Sequence, residues 1–313
     1  MSADGDRDWE RELVRELARE ALQERRRTRR WNVFFRLLLF SYVIVVSWLL
    51  WQGGDWEGEW AGEHTAVVAI RGLIADGAGA NARDVIAGLR DAFEDDGTRG
   101  VILRINSPGG SAVQSALVHD EILRLREEHP DVPVVAVVTD AAASGAYYIA
   151  VAAEKIYANR ASIVGSIGVR LDSFGLVGTL NKLGMERRLF TAGRHKGFLD
   201  PFLPLEPEEV AHVKDLLKDV HRQFIEAVKK GRGDRLTDDP ALFSGLFWTG
   251  REALELGLID GFADEATVAR EVIGVERTRE FTHRRDWWER LGERLGTALA
   301  DRLEERLFPG RLR

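Results

Sequence analysis

At 313 residues, with 45% hydrophobic and 30% charged side chains, the chain has an ordinary folded composition and room for one large domain or two modest ones. A formal net charge of -7 argues against nucleic acid as a main partner. There is no cysteine, which excludes disulfides, cysteine-ligated zinc and thiol catalysis.

Residues 1–30 form a charged leader. Within it "DWERELVRELAREALQE" (8–24) sets Trp9, Leu13, Leu17 and Leu22 near one helical face, with charges elsewhere. This reads as a solvated helix or, alternatively, as a surface for a partner or a membrane. Residues 31–51, "WNVFFRLLLFSYVIVVSWLLW", carry a single charge, Arg36. About 20 apolar residues span a bilayer core. Arg36 lies near the start, where its side chain can snorkel to the headgroups, and Trp31, Trp48 and Trp51 fall at the two interfaces. "RRRTRR" (25–30) precedes the span and the acidic "QGGDWEGEW" follows it. The positive-inside rule therefore predicts a single-pass inner- or plasma-membrane protein, its N-terminus cytoplasmic and its remainder extracytoplasmic. A cleaved signal peptide is the competing reading. The long charged leader, and the lack of a small-x-small site directly after the apolar run, speak against it.

Residues 52–63 read as a linker, and a globular pattern follows. "TAVVAIRGLI", "GVILRINS", "VPVVAVV" and "KIYAN" are strands; helices are expected near 82–96, 111–129 and 144–153. Further helices are expected near 174–184, 206–230, 250–256 and 264–273. The alternation predicts an α/β fold with buried, largely parallel strands. Residues 273–313 form a C-terminal segment in which Trp288, Leu291, Leu295, Leu299, Leu303 and Leu307 recur at helical spacing. Such a helix packs on the core or a neighbouring subunit, or lies on the membrane surface.

Three short segments carry chemistry. In "LRINSPGGS" (103–111) a buried strand ends in a glycine turn just before a helix, where backbone N–H groups can approach a ligand. In "DAAASGAYY" (140–148) Ser144 stands at a strand-to-helix turn among small residues. By itself this pattern fits a helix cap. It also fits a nucleophile with the Gly145 N–H as oxyanion donor and a second donor from the "PGG" turn. The third segment, "FTAGRHKGFLD" (190–200), bears on the base. Of the seven histidines, His195 comes nearest to a candidate, but Lys196 beside it is the better one. A lysine serves as base when apolar burial lowers its pKa from about 10.4, and Phe190, Phe198, Leu199 and Phe202 are candidates for that environment.

With these segments in view, residues 64–272 resemble the signal peptide peptidase A (SppA) family of serine peptidases. The resemblance rests on "INSPGG" (105–110), "AASGAYYIA" (142–150), "IVGSIGV" (163–169), "TAGRHKGFLDPF" (191–202) and "FWTGREALELGLID" (247–260). It implies a Clp protease/crotonase-like fold, Ser144 as nucleophile, and Lys196 as general base. It further implies Ser166 as the residue that orients the lysine, and an oxyanion hole from Gly145 and Gly110, with Gly109 as the alternative donor. A Clp protease itself would need a histidine about 25 residues after the serine; Val169 and its neighbours supply none. The resemblance also implies cleaved signal peptides and other apolar peptides as substrates, without metal or organic cofactor. Finally, it implies a homo-oligomeric ring, an octamer by preference, in which neighbours share each active site. A SohB-type peptidase with other substrates and a non-catalytic crotonase-fold scaffold are the rival readings.

Overall fold

The computed structural model describes residues 30–48 and 62–283. The leader helix, most of the linker and the C-terminal amphipathic helix expected above lie outside the described residues.

The N-terminal unit contributes one helix, α1 (Arg30–Trp48), of 19 residues with mean hydropathy 1.6. At about 1.5 Å per residue it is about 28 Å long, close to the hydrocarbon thickness of a bilayer. Among the described residues, this one helix is long and apolar enough to cross a membrane.

The second unit, from Gly62, is an α/β domain. Its first strands are β1 (His64–Arg71), β2 (Thr98–Ser107) and β3 (Val134–Ala143), which pair in parallel. Their central residues are largely apolar because both faces of the sheet are covered there. Val101, Leu103 and Ile105 pack toward α2 (Ala82–Glu94) and α3 (Ala112–Glu128). Ile102, with Val67, Val135 and Val137, packs instead against Val268 and Ala269. Both helices start on the polar residue that their sequences offer as a cap. The Asn81 side chain accepts from the Asp84 N–H at 3.0 Å, and the Ser111 hydroxyl accepts from the Gln114 N–H at 3.3 Å.

β3 changes partner halfway along. Val135–Val138 pair with β4 (Lys155–Ala158), whereas Ala141–Ala143 pair with β5 (Ile163–Gly165). The last residues of β3 are thereby swung onto a separate arm of the sheet, and α4 (Gly145–Ala150) starts directly from them. β6 (Phe247–Thr249) closes this edge as the antiparallel partner of β5, and β7 (Gly261–Phe262) pairs with β4. β8 (Thr278–Glu280) forms the opposite edge beside β1. This strand corrects the sequence reading, which assigned everything from residue 273 to a helical segment. Thr278–Glu280 belong to the sheet because Val67 and its neighbours on β1 offer backbone partners there.

After β5 the chain leaves the core. No residue from Gly168 to Gln223 is buried, an excursion that includes the short α5 (Val177–Lys182) and the first half of α6 (Pro207–Arg232). It returns where Phe224, Ala227 and Val228 enter the core. The root of α6 is fixed by Arg232, only 1% exposed, whose guanidinium donates to Asp260 at 2.7 and 3.0 Å and to the Gly257 carbonyl at 2.9 Å. Asp260 also accepts from the Ile156 N–H at 2.7 Å and from Arg235 at 3.1 Å.

Burial opposes ionisation of Asp260, but Arg232, the Ile156 amide and Arg235 outweigh it and hold the carboxyl below its ordinary range. Asp260→Ala leaves Arg232 buried and unpaired, so it should cost about 3–5 kcal/mol in denaturant unfolding at pH 7. A carboxyl held low contributes fully above its unfolded value of about 3.9, and the contribution fades as the pH falls below that. The stability gap between wild type and Asp260→Ala should therefore narrow between pH 5 and pH 3; a constant gap would contradict the assignment.

Candidate active site

The turn from β3 into α4 places Ser144 in a conformation that L-residues avoid, φ 54° and ψ -124°. Strain of this kind costs about 1–3 kcal/mol and persists only where the surroundings enforce it. Here they do. The Ser144 N–H donates to the Gly165 carbonyl at 2.8 Å, and its own carbonyl accepts from Tyr147 and Tyr148 at 2.9 and 3.0 Å. The Ser144 side chain makes no capping hydrogen bond, so it does not do what a helix-cap serine does. It is a half-buried hydroxyl held on a sharp strand-to-helix turn, the device by which other hydrolases present a nucleophile.

The glycine turn after β2 lies against this serine. Gly109 has φ +94°, and a methyl built on it would stand 2.8 Å from the Ser144 Cβ and 2.8 Å from the Gly145 nitrogen. A methyl on Gly145 would in turn lie 3.4 Å from the Gly110 nitrogen. The amides of Gly110 and Gly145 thus border one space beside Ser144, at the N-termini of α3 and α4. Neither has a hydrogen-bond partner among the described residues. The Gly109 N–H is occupied, donating to the Ser107 hydroxyl at 3.1 Å.

Ser166 is adjacent. Its predecessor Gly165 pairs with Ala143, so the two serines follow one another across the β3–β5 ladder. Ser166 also has φ 54°, and its N–H donates to the Leu246 carbonyl at 2.7 Å. Gly165, with φ +107°, has the Trp248 ring 2.8 Å from where a Cβ would stand.

Lys196 lies elsewhere. It sits on the solvent-exposed excursion and lines a shallow depression of about 350 Å³ with Arg187, Leu189, Phe198, Pro201 and Phe202. Among the described residues no hydrogen bond joins it to Ser144 or Ser166. Among the described residues the apolar burial expected from its neighbours is not provided: Lys196 is exposed, Phe190 is 92% exposed, and Phe198 and Leu199 are only half-buried. The physical reason is that this excursion has no buried residue to anchor it against the core. His195, the histidine alternative, is exposed beside Glu208 at 3.9 Å.

Two neighbours of these turns were not visible in the sequence. Ser115, fully buried, donates to the Ser111 carbonyl at 2.9 Å and packs directly beneath Gly145. His221 on α6 contacts the Ile167 carbonyl through Nε2 at 3.1 Å. The first left only the faint signal of serines one helical turn apart; the second left none.

A mostly parallel α/β domain with a strained serine beside two amides that lack a partner among the described residues is compatible with acyl-transfer chemistry. The model for "Peptidase family S49" matches residues 126–275, a stretch that includes Ser144, Ser166 and Lys196. A Synechocystis sp. protein named "Putative protease slr0021" is 32% identical over 200 residues, covering 64% of this chain and 70% of that one. The chloroplastic serine protease SPPA of Arabidopsis thaliana is 30% identical over 214 residues, covering 67% of this chain and 31% of that protein. A Brucella melitensis protein named as the Na(+)/H(+) antiporter NhaA is 46% identical over 214 residues, which are 66% of this chain and 29% of that protein. The chain therefore spans less than a third of the Brucella and Arabidopsis proteins. It belongs to peptidase family S49, the family of the SppA peptidases.

Proposed function

We propose that the chain is a membrane-anchored serine endopeptidase that uses Ser144 and Lys196 to cut signal-peptide remnants and other apolar, membrane-proximal segments. The observation that carries this reading is Ser144 itself, strained, uncommitted and flanked by two unpartnered amides. In the proposed reaction the neutral Lys196 amine takes the Ser144 proton as Oγ adds to a peptide carbonyl. The Gly145 and Gly110 amides donate to the resulting oxyanion. Gly110 is preferred over Gly109, whose amide is spent on Ser107. The lysine then returns the proton to the leaving amine, and water hydrolyses the acyl-enzyme. The Ser166 hydroxyl accepts from the lysine amine and aims its lone pair at Ser144.

Because Lys196 is exposed on an arm, we assign it to the active site of a neighbouring subunit in a homo-oligomeric ring, with eight subunits as the favoured number. Exposed Phe174, Leu183, Met185 and Phe190 on the same arm support a contact that a single chain does not make. The anchor is α1, with the N-terminus cytoplasmic and the catalytic domain outside, as the flanking charges favour.

The direct test uses a fluorophosphonate probe on the full chain in detergent, together with cleavage of an apolar peptide at alkaline pH. Wild type should be labelled at Ser144, and Ser144→Ala should lose labelling and at least about 10³-fold in kcat. Undiminished cleavage by Ser144→Ala would overturn the proposal; an unlabelled, inactive wild type would favour a non-catalytic scaffold.

A further inference from the structure

We propose that His221 is a positioning residue for the active site, holding Ser166 in the conformation from which it orients the base; this rests on the function proposed above. Ser166 has φ 54°, so its backbone relaxes unless it is held on both sides. On the upstream side Gly165 accepts from the Ser144 N–H, and the Ser166 N–H is taken by the Leu246 carbonyl at 2.7 Å. On the downstream side the Ile167 carbonyl meets His221 Nε2 at 3.1 Å, and the Ile167 side chain is fully buried. With the proton on Nε2 the imidazole donates to that carbonyl whether neutral or charged.

The position of His221 is itself fixed. It stands on α6 one turn before Phe224 and two turns before Val228, the residues by which the helix enters the core. The geometry therefore links the root of the exposed excursion, through one side chain, to the residue that follows the strained serine. A histidine serving only the packing of α6 would have no reason to spend its ring nitrogen on that particular carbonyl.

The experiment is a double-mutant cycle between His221→Leu and Ser166→Ala, read as kcat and KM for an apolar peptide, with folding checked by circular dichroism and thermal unfolding. His221→Leu should lower kcat by about ten-fold with KM within about two-fold, and shift the acidic limb of the pH–rate profile. His221→Gln, whose amide reaches the same carbonyl, should keep most of the rate, while the shorter His221→Asn should not. In the Ser166→Ala background, His221→Leu should add little. Full activity in His221→Leu, or losses that simply multiply in the double variant, would overturn this inference alone. If His221→Leu does not fold, the Gln and Asn pair decides: equal rates overturn the inference. A wild type without Ser144-dependent cleavage would overturn the underlying function and the inference with it.

Discussion

Mixed assemblies of Ser144→Ala and Lys196→Ala chains are expected to regain peptide cleavage that neither variant has alone. The expectation follows from where the two residues sit. Ser144 is half-buried at the end of β3, among backbone groups that cannot move without dismantling the sheet arm. Lys196 lies on an excursion in which no residue from Gly168 to Gln223 is buried. A lysine in water holds its proton and is no base at neutral pH; it becomes one where apolar surfaces close over it. Among the described residues that closure is missing, and a neighbour's surface can supply it.

The size of the recovery discriminates between arrangements. If each site takes its serine from one subunit and its lysine from the next, random equimolar mixing restores about one quarter of the sites. Activity plotted against composition should then rise and fall as a parabola peaking at equal parts. If both residues come from the same chain, every site lacks one of them at every composition, and nothing is recovered. Differently tagged chains that co-purify establish the mixing; absence of activity in such assemblies would refute the shared site.

How far the sequence foretold the fold depended on the length of the signal. β1 to β3 were legible because eight to ten residues of apolar, β-branched chain leave few alternatives. β5 and β6 are three residues each; β5 is a strand through Ala141–Ala143 of β3 on one side and Phe247–Thr249 on the other, and β6 through a partner more than 80 positions away. Those pairings place Ser166 beside the end of β3, so its position was not legible in "VGSIG", and the role proposed for it comes from the family resemblance. The glycine turn was legible as a turn, but which of its amides stays free was not. It depends on the Ser107 hydroxyl, which takes one amide and leaves the other. His221 was invisible because a histidine on a polar helix gives no periodic sign of the carbonyl it will meet.

The same turn yields the second large effect: Gly109→Ala should reduce kcat/KM by at least about 10³-fold while leaving a folded domain. The methyl would stand 2.6 Å from the Ala143 carbonyl oxygen, 2.8 Å from the Gly145 nitrogen and 2.8 Å from the Ser144 Cβ. None of these atoms can rotate away, since two are main chain and the third is fixed by it. The φ of +94° adds strain whatever the space. Relief requires the 107–111 turn and the 143–145 turn to separate by several tenths of an ångström, and the two proposed oxyanion donors sit on opposite sides of that gap. Removing one such donor outright costs about 10²–10³ in rate, and here both donors and the nucleophile lose their registry together. Gly79→Ala is the control, because a methyl there meets nothing within 4 Å and the backbone is not in the left-handed region. Thermal unfolding and peptide cleavage measured on both variants separate a lost fold from a lost site. A Gly109→Ala chain that cleaves as the wild type does would mean that the turn is not part of the catalytic machinery, and that the close approach of Gly109 to Ser144 serves packing alone.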